Sequence, residues 1–269
     1  MAVITISRGS YSKGKEVAEK VAKKLGYDCI SRDILLDASE RFNIPEIKLQ
    51  WAIHEAPSIL DRFSHGKEMY VTYIQSALLK YLREDNIVYY GLAGHFFVKD
   101  VPHVLKVRII ADIEDRVKIE MEREKVSYEE ALRILKKDDE QRKKWGLHLY
   151  GIDTSDPSLY DLLVHIKKLT TDDAADIICS TVARPCFQTT PESRKMLNDA
   201  ALSAEVKAAL IELDINVSVS ADNGKVYITS KAHPDHMKEM AQRLEETAKT
   251  VAGVKKAEVQ IRAVSMYSK

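Results

Sequence analysis

The chain has 269 residues, which is enough for one large domain and one small one. Its 41 basic and 41 acidic residues cancel, so the composition indicates neither a basic surface for nucleic acid nor an acidic disordered tail. Three cysteines without C-x-x-C spacing indicate neither a disulfide framework nor a zinc site. No segment reaches the roughly 20 apolar residues of a membrane span, and we expect no secretory leader, because the sequence opens on an apolar strand without a basic segment before it. We therefore expect a cytoplasmic protein without a transmembrane segment.

Residues 3–25 combine an apolar strand with an amphipathic helix. Val3, Ile4 and Ile6 are typical of a buried strand, and apolar residues recur at helical spacing from Val17 onward. Residues 9–15 between them fit the pattern G-x-x-x-x-G-K, in which backbone N–H groups and the helix start surround phosphate oxygens. The alternative is an ordinary strand-to-helix turn with solvated lysines. We favour phosphate binding by Gly9, Ser10, Tyr11, Ser12, Lys13, Gly14 and Lys15.

Glu16 follows the lysine of this loop, where a Ser or Thr commonly lends its hydroxyl to Mg²⁺. A carboxylate can bind Mg²⁺ or its waters, although it also brings negative charge towards a polyphosphate. We therefore predict that Glu16 takes part in metal binding.

A short second strand over residues 27–31 leads into a helix that ends at Phe42. Arg32 and Asp33 follow this strand, and ligands bind at the carboxyl ends of strands in open α/β sheets. Helix capping and first-turn charge explain the same two residues equally well.

The next elements alternate between helix and strand. Helical patterns cover residues 45–54 and 67–83, and buried strands cover residues 87–90 and 104–111. Gly91 and Gly94 follow the first of these strands and would let a ligand approach the backbone closely. This alternation predicts a parallel, doubly wound α/β sheet.

Residues 112–145 form a highly charged helical pair, in which Ser127 and Glu130 indicate the start of the second helix. The pair could swing over the loop, although a charged helix is more often a solvated face. A strand over residues 160–166 and a helix over residues 171–182 complete the large domain. The cations of the pair are Arg116, Arg123, Arg133, Lys137, Arg142, Lys143 and Lys144.

Residues 184–193 contain two prolines and no periodicity, which predicts a linker. Beyond it we expect a helix over residues 203–213, strands over 216–220 and 225–229 joined at Asn223-Gly224, a helix over 234–251 and a strand over 255–263. This order describes a small α+β module of αββαβ type.

The first two-thirds of the chain resembles the cytidylate kinase-like family of P-loop kinases. The stretches that carry the resemblance are ITISRGSYSKGKEVAEKVAKKLGYDCISRDIL, IVYYGLAGHFF, VLKVRIIADIEDRV and DDEQRKKWGLHLYGIDTSDPSLYDLL. The resemblance implies a P-loop NTPase-type doubly wound parallel sheet with a helical lid. It implies ATP phosphates at Gly14 and Lys15, and an acceptor nucleotide near Arg32 and Asp33. The remaining implied sites are lid or nucleotide contacts at Arg116, Arg123 and Arg142, and acceptor contacts at Arg8, Gly91 and Gly94.

Within this resemblance Glu16 is the usual residue, whereas several other residues depart from the family pattern. Tyr11 and Lys13 stand where the family tends to carry glycine, and Leu92 stands where it carries an arginine. The missing arginine removes a phosphate or acceptor contact.

The tail resembles a BON domain, a small αββαβ module, through INVSVSADNGKVYITSKAHPD and VAGVKKAEVQI. The resemblance implies a lipid, small-molecule or protein ligand. We predict a kinase-like domain over residues 1–183, a linker over 184–198 and a BON-like domain over 199–264.

Together these features predict a kinase that uses ATP and Mg²⁺ to phosphorylate a nucleoside monophosphate of the cytidylate type or another small acceptor. The C-terminal module would then bind a ligand or a regulatory partner. One alternative is a nucleotide sensor that binds ATP with slow or no transfer. A further alternative is a scaffold whose tail drives assembly into a homo-oligomer.

Overall fold

The computed structural model describes residues 2–9, 12–31, 33–46, 48–49, 66–91 and 93–263. A five-stranded parallel sheet of order β2-β3-β1-β4-β5 forms its N-terminal part, which confirms the predicted fold class. The strands are β1 (Val3–Arg8), β2 (Asp28–Ile30), β3 (Ile87–Tyr90), β4 (Val104–Ala111) and β5 (Leu162–Ile166).

Helices cover both faces of this sheet. Alternate residues of β1 point to opposite faces, so Val3 joins one core with α2 and α3, and Ile4 and Ile6 join the other with α1 and α7. Each fully buried Ile or Leu contributes roughly 1.5–3 kcal/mol. The helices in the described ranges are α1 (Gly14–Leu25), α2 (Asp33–Phe42), α3 (Gly66–Leu82), α4 (Gly94–Phe97), α5 (Ile113–Glu124), α6 (Tyr128–Tyr150), α7 (Thr171–Val182), α8 (Pro191–Leu210) and α9 (Met237–Lys249).

The charged stretch forms two helices, α5 and α6, as predicted. Ser127 caps α6 by accepting a hydrogen bond from the backbone N–H of Glu130 at 3.3 Å. Val117, Ala131 and Leu135 form a small core between the two helices. The pair therefore has its own packing and projects over the carboxyl ends of β1 and β4.

The segment predicted as a linker, residues 184–198, is largely ordered helix. A short 3₁₀ turn, Pro185–Phe187, precedes α8, which begins at Pro191 and not near residue 203 as predicted. Pro191 occupies the first helical turn, where its missing N–H costs no hydrogen bond. Thr190 and Ser193 form a reciprocal capping box. The proline that suggested a loop is thus part of a helix start.

A second, small domain follows. The strands β6 (Ser218–Asp222), β7 (Lys225–Ala232) and β8 (Lys256–Ala263) form a sheet of that order. The β6–β7 pair is antiparallel through a turn at Asn223 and Gly224, whose φ values of 50° and 86° suit a type I′ hairpin. After α9, β8 pairs with β7 in parallel. With α8 this gives the predicted αββαβ order.

None of the helices in the described ranges is both long and apolar enough to cross a membrane. The three cysteines are unpaired, and Cys186 is exposed.

Candidate active site

A cavity of about 370 Å³ opens at the carboxyl ends of β1 and β4, beneath the α5–α6 pair. Its volume lies within the range of small-ligand pockets. Its position is the one where open α/β sheets bind ligands. Its charged lining residues are five cations and three acids: Arg8, Arg108, Arg116, Arg142 and Lys143, against Asp139, Glu140 and Asp153.

The loop after β1 forms one end of the cavity. The buried Ser12 hydroxyl lies 3.0 Å from the carbonyl oxygens of both Gly9 and Ile109, which anchors the loop to the end of β4. Lys13 precedes α1 with a left-handed φ of 61°. A Cβ added to Gly14 would lie 2.7 Å from Cδ of Arg8, so the start of α1 is covered by the Arg8 side chain.

Arg116 and Arg142 reach this loop from the helical pair. Arg116 is only 8% exposed and donates from Nη2 to both carboxylate oxygens of Asp139, at 2.9 and 2.8 Å. A Cβ on Gly9 would lie 3.5 Å from the guanidinium carbon of Arg116. Arg142 donates to the carbonyl oxygen of Arg8 at 3.0 Å.

These arginines repel one another in a poorly solvated space. Burial first, and then the charge of Arg8, lower the pKa of Arg142, while Asp139 opposes the shift. An anion bound among these cations would relieve the repulsion. The arrangement is therefore suited to an anionic group such as phosphate.

The opposite wall carries residues that the sequence analysis did not single out as site residues. Arg108 donates to the carbonyl oxygen of Thr154 at 2.7 Å and to the hydroxyl of Tyr160 at 3.0 Å. His95 follows β3 and contacts Tyr160. Arg108 did leave a signal in the sequence, because it is a charged residue in the second half of a largely apolar strand, β4.

Five of the predicted site residues line the cavity together: Arg8, Gly9, Ser12, Arg116 and Arg142. Lys15 does not line it. Its side chain is 65% exposed and its Nζ lies 3.7 Å from Glu19 Oε1, one helical turn along α1. Lys13 is also exposed.

Glu16 faces α7 rather than the cavity. Its Oε1 accepts the Thr171 hydroxyl at 2.6 Å and lies 3.1 Å from Lys20 Nζ. These two contacts, in that order, lower the pKa of Glu16. Within the described ranges, no group of three or more His, Cys, Asp or Glu side chains could hold a metal ion.

Arg123 and Asp33 lie outside the cavity lining. Arg123 is 55% exposed and pairs with Glu120 and Glu124 on α5. Asp33 is exposed in the first turn of α2, and its Oδ2 accepts from the backbone N–H of Ser31 at 3.3 Å. This contact is local to the turn before α2, and Asp33 does not line the cavity.

Gly91 and Gly94 make room for Tyr89. A Cβ on Gly91 would lie 2.7 Å from Cζ of Tyr89, and one on Gly94 would lie 2.6 Å from its Cδ1. The space that these glycines leave is occupied by the protein's own ring. Ser10, Tyr11 and Arg32, which were also predicted as site residues, and Leu92 lie outside the described residues.

The sequence model of the cytidylate kinase-like family matches residues 3–168, which contain every residue that lines this cavity. The chain belongs to the cytidylate kinase-like family. The small C-terminal domain follows the matched region.

Relatives of this family member include archaeal proteins named cytidylate kinase. The one from Sulfolobus acidocaldarius is 27% identical over 184 residues, which cover 67% of this chain and 94% of the relative. The one from Thermococcus kodakarensis is 37% identical over 83 residues, 31% of this chain and 42% of the relative. The matched stretch therefore spans less than half of the second relative.

A solved structure of an uncharacterised protein from Eubacterium ventriosum shares the fold. It aligns with a TM-score of 0.52 at 23% identity, over 68% of this chain and all of the other.

Proposed function

We propose that this family member transfers the γ-phosphoryl group of ATP to a small acceptor, a nucleoside monophosphate of the cytidylate type, in the strand-end cavity. The observation that carries the proposal is the convergence of Arg8, Arg116 and Arg142 beside Gly9 of the loop. The relatives named cytidylate kinase support this choice of acceptor.

Phosphoryl transfer depends mainly on positioning and on neutralising charge. In the reaction, the bond between the γ-phosphorus and the bridging oxygen of ATP breaks, and a bond to an acceptor phosphate oxygen forms, giving ADP and a diphosphate. Arg116 is held in place by its two hydrogen bonds to Asp139, so its guanidinium stays over Gly9. Arg142 bridges α6 to the strand end. Closure of this pair would exclude water, which otherwise competes as acceptor.

Magnesium enters this scheme with the nucleotide, as MgATP. Glu16 does not fit the role of metal ligand as it is placed, because its carboxylate is held by Thr171 and Lys20. We therefore assign no step of the transfer to a metal ligand of the protein.

The test is an acceptor panel. The full chain is incubated with ATP, Mg²⁺ and cytidine, uridine, adenosine or guanosine monophosphate, and diphosphate formation is followed by ion-exchange chromatography. We expect product with at least one monophosphate, above the rate of ATP hydrolysis alone. Binding of ATP without product from any acceptor contradicts the kinase.

The placement of Lys15 favours a second candidate, a nucleotide sensor. Its Nζ lies near Glu19 instead of the cavity, and Arg8 covers Gly14.

If Lys15 turns towards the phosphates when ATP binds, Lys15→Ala will weaken ATP affinity and reduce turnover. Glu19→Ala is the matched control, because it releases Lys15 without removing it. Unchanged ATP affinity and turnover in Lys15→Ala would contradict a role for Lys15 in binding the ATP phosphates.

We also propose that the C-terminal domain, residues 199–264, is a BON-type module that binds a small ligand or protein partner and regulates the kinase-like part. Its αββαβ order and its Asn-Gly hairpin support this. Hydrogen exchange of the full chain with and without ATP tests the regulation. We expect altered protection in β6, β7 and β8, and identical exchange in both states contradicts it.

A further inference from the structure

His95 forms part of the cavity wall and is 5% exposed. Its ring packs against Phe96 and Tyr160, with centroid distances of 4.1 and 4.9 Å. Its Nε2 lies 3.4 Å from the Tyr160 hydroxyl oxygen. Its Nδ1 is buried and has no hydrogen-bond partner among the described residues. Most buried polar atoms in proteins have a hydrogen-bond partner, so an unpaired one requires an explanation.

The hydrogen bonds of Tyr160 determine which ring nitrogen carries the hydrogen. The Tyr160 hydroxyl donates to the carbonyl oxygen of Thr154 at 2.9 Å, and a carbonyl can only accept. Arg108 donates to the same hydroxyl oxygen at 3.0 Å. The same oxygen also lies 3.4 Å from Ser7 Oγ. Because the hydroxyl hydrogen goes to the close carbonyl of Thr154, the oxygen accepts from His95, which contacts it as a donor through Nε2–H. Nδ1 is left with a bare lone pair.

The imidazole stays neutral. Burial first, and then the charges of Arg108 and Lys106, lower the pKa of His95 to about 3. At neutral pH its Nδ1 is consequently an acceptor and not a donor. In this it differs from the arginines around it, which only donate.

We propose that Nδ1 of His95 accepts a hydrogen bond from an amine or hydroxyl group of the acceptor molecule, whose phosphate lies at the arginines. The inference rests on the proposed function and makes His95 a specificity-determining residue. A ligand with an N–H or O–H in that position satisfies the buried lone pair. An analogue with a carbonyl oxygen, or with hydrogen in place of the hydroxyl, leaves it unpaired.

The first experiment uses the unaltered protein and three probes. Calorimetry with a non-hydrolysable ATP analogue present compares cytidine monophosphate, uridine monophosphate and 2′-deoxycytidine monophosphate. The second probe replaces an amine by an oxo group, and the third lacks a sugar hydroxyl. We expect one of these two changes to weaken binding about fivefold, the effect of one lost hydrogen bond. Equal affinity for all three probes overturns the inference.

Substitutions then assign the preference to His95. His95→Phe keeps an aromatic ring at this position but removes both ring nitrogens, so the preference among the probes should vanish. His95→Asn places an amide oxygen near the former Nδ1 and should restore much of it. His103→Phe is the matched control, because His103 is 1% exposed and its ring nitrogens also lack hydrogen-bond partners in the described part of the chain, but it lies outside the cavity lining. A preference that survives in His95→Phe contradicts the inference.

Failure of this inference can be separated from failure of the proposed function. Arg116→Ala should weaken binding of all three probes together, because it removes a cation that their phosphates share. If Arg116→Ala has that effect and His95→Phe leaves the preference intact, only the role of His95 is wrong. If Arg116→Ala leaves all three affinities unchanged, the phosphate site itself is wrong.

Discussion

Arg116 shows how a single residue can connect the helical pair to the loop. Its guanidinium is almost fully buried, whereas its partner Asp139 keeps a side chain that is 40% exposed. A buried cation is tolerated only when its donors are satisfied, and Nη2 of Arg116 donates both of the hydrogen bonds to Asp139. The group adjoins Gly9, so its charge acts where a phosphate would bind.

We predict that Arg116→Ala lowers the turnover number about 10³-fold, the effect typical of losing a cation that stabilises phosphoryl transfer. The cost in stability should stay small, because the remaining carboxylate of Asp139 reaches solvent. Initial rates and chemical denaturation measure the two effects.

The control for this prediction is Arg133→Ala on α6. Arg133 is 73% exposed and pairs with Glu130, so its removal should barely change stability, because exposed ion pairs contribute little, and it should leave turnover unchanged. Equal turnover in the Arg116 and Arg133 variants contradicts a role for Arg116 in transfer.

At the same scale, the sequence predicted which residues belong to the site better than it predicted where their side chains point. It predicted Arg8, Gly9, Ser12, Arg116 and Arg142, which line one cavity. The directions of Lys15 and Glu16 were not predictable, because each depends on a partner elsewhere, Glu19 on the next turn and Thr171 on α7.

At the scale of elements, Lys143 and Asp153 connect α6 to the turn after it, at the mouth of the cavity. Asp153 Oδ2 lies 2.8 Å from Lys143 Nζ, and Oδ1 accepts from the N–H and hydroxyl of Ser155 at 2.9 and 2.7 Å. These contacts, led by the one with Lys143, lower the pKa of Asp153 from 3.8 to about 2. The turn is therefore held to the helix by a carboxylate that must stay ionised.

We predict that this connection weakens in acid. Because the folded-state pKa of Asp153 is below its unfolded value of 3.8, its contribution to stability is present above about pH 4 and is lost as the pH falls towards 2. Lys143→Ala removes the largest cause, so the Asp153 carboxyl should titrate closer to 3.8 in that variant. NMR of the side-chain carboxyl carbon measures this directly.

Lys144→Ala is the matched control for this shift, because Lys144 is adjacent on α6 and pairs with Glu140 instead. The Asp153 titration should be unchanged there. An identical titration of Asp153 in the wild type and in Lys143→Ala would show that the pair does not hold the turn.

Most element boundaries followed from periodicity, because apolar spacing reports directly on which face is buried. The helix predicted over residues 171–182 is α7 itself, and the one predicted over 67–83 differs by one residue at each end. The predicted start of α8 was wrong. Apolar residues lie on more than one side of this helix, so its sequence shows no single apolar stripe. Pro191 then led to the prediction of a loop.

At the scale of the whole molecule, α8 belongs to two cores. Leu197 and Ala201 pack into the core formed with α3, and Val206 and Leu210 pack into the core of the C-terminal domain. The two parts therefore share a helix where the sequence predicted a linker. Long-range packing of this kind leaves no local pattern, which is why the sequence did not reveal it.

We predict that Arg194→Ala destabilises the whole chain by about 3 kcal/mol, the loss typical when a buried carboxylate loses its partner. Arg194 on α8 forms an ion pair with Asp85, whose side chain is 3% exposed. Thr189 donates to the other carboxylate oxygen at 2.9 Å and would remain as its hydrogen-bond donor. Denaturant unfolding, followed by fluorescence and by circular dichroism, measures the loss.

Lys195→Ala provides the comparison at the next position of the same helix. Lys195 is 51% exposed and pairs with Asp199 and Asp222, both of which are themselves connected to the C-terminal hairpin. Its loss should cost much less stability than the loss of Arg194, because Lys195 and Asp222 are exposed and water can hydrate both. Because only Arg194 reaches a buried charge beyond its own domain, only its variant should weaken the kinase-like part. Equal and small losses in both variants would mean that water replaces Arg194 at Asp85, and that this ion pair does not help to join the two domains.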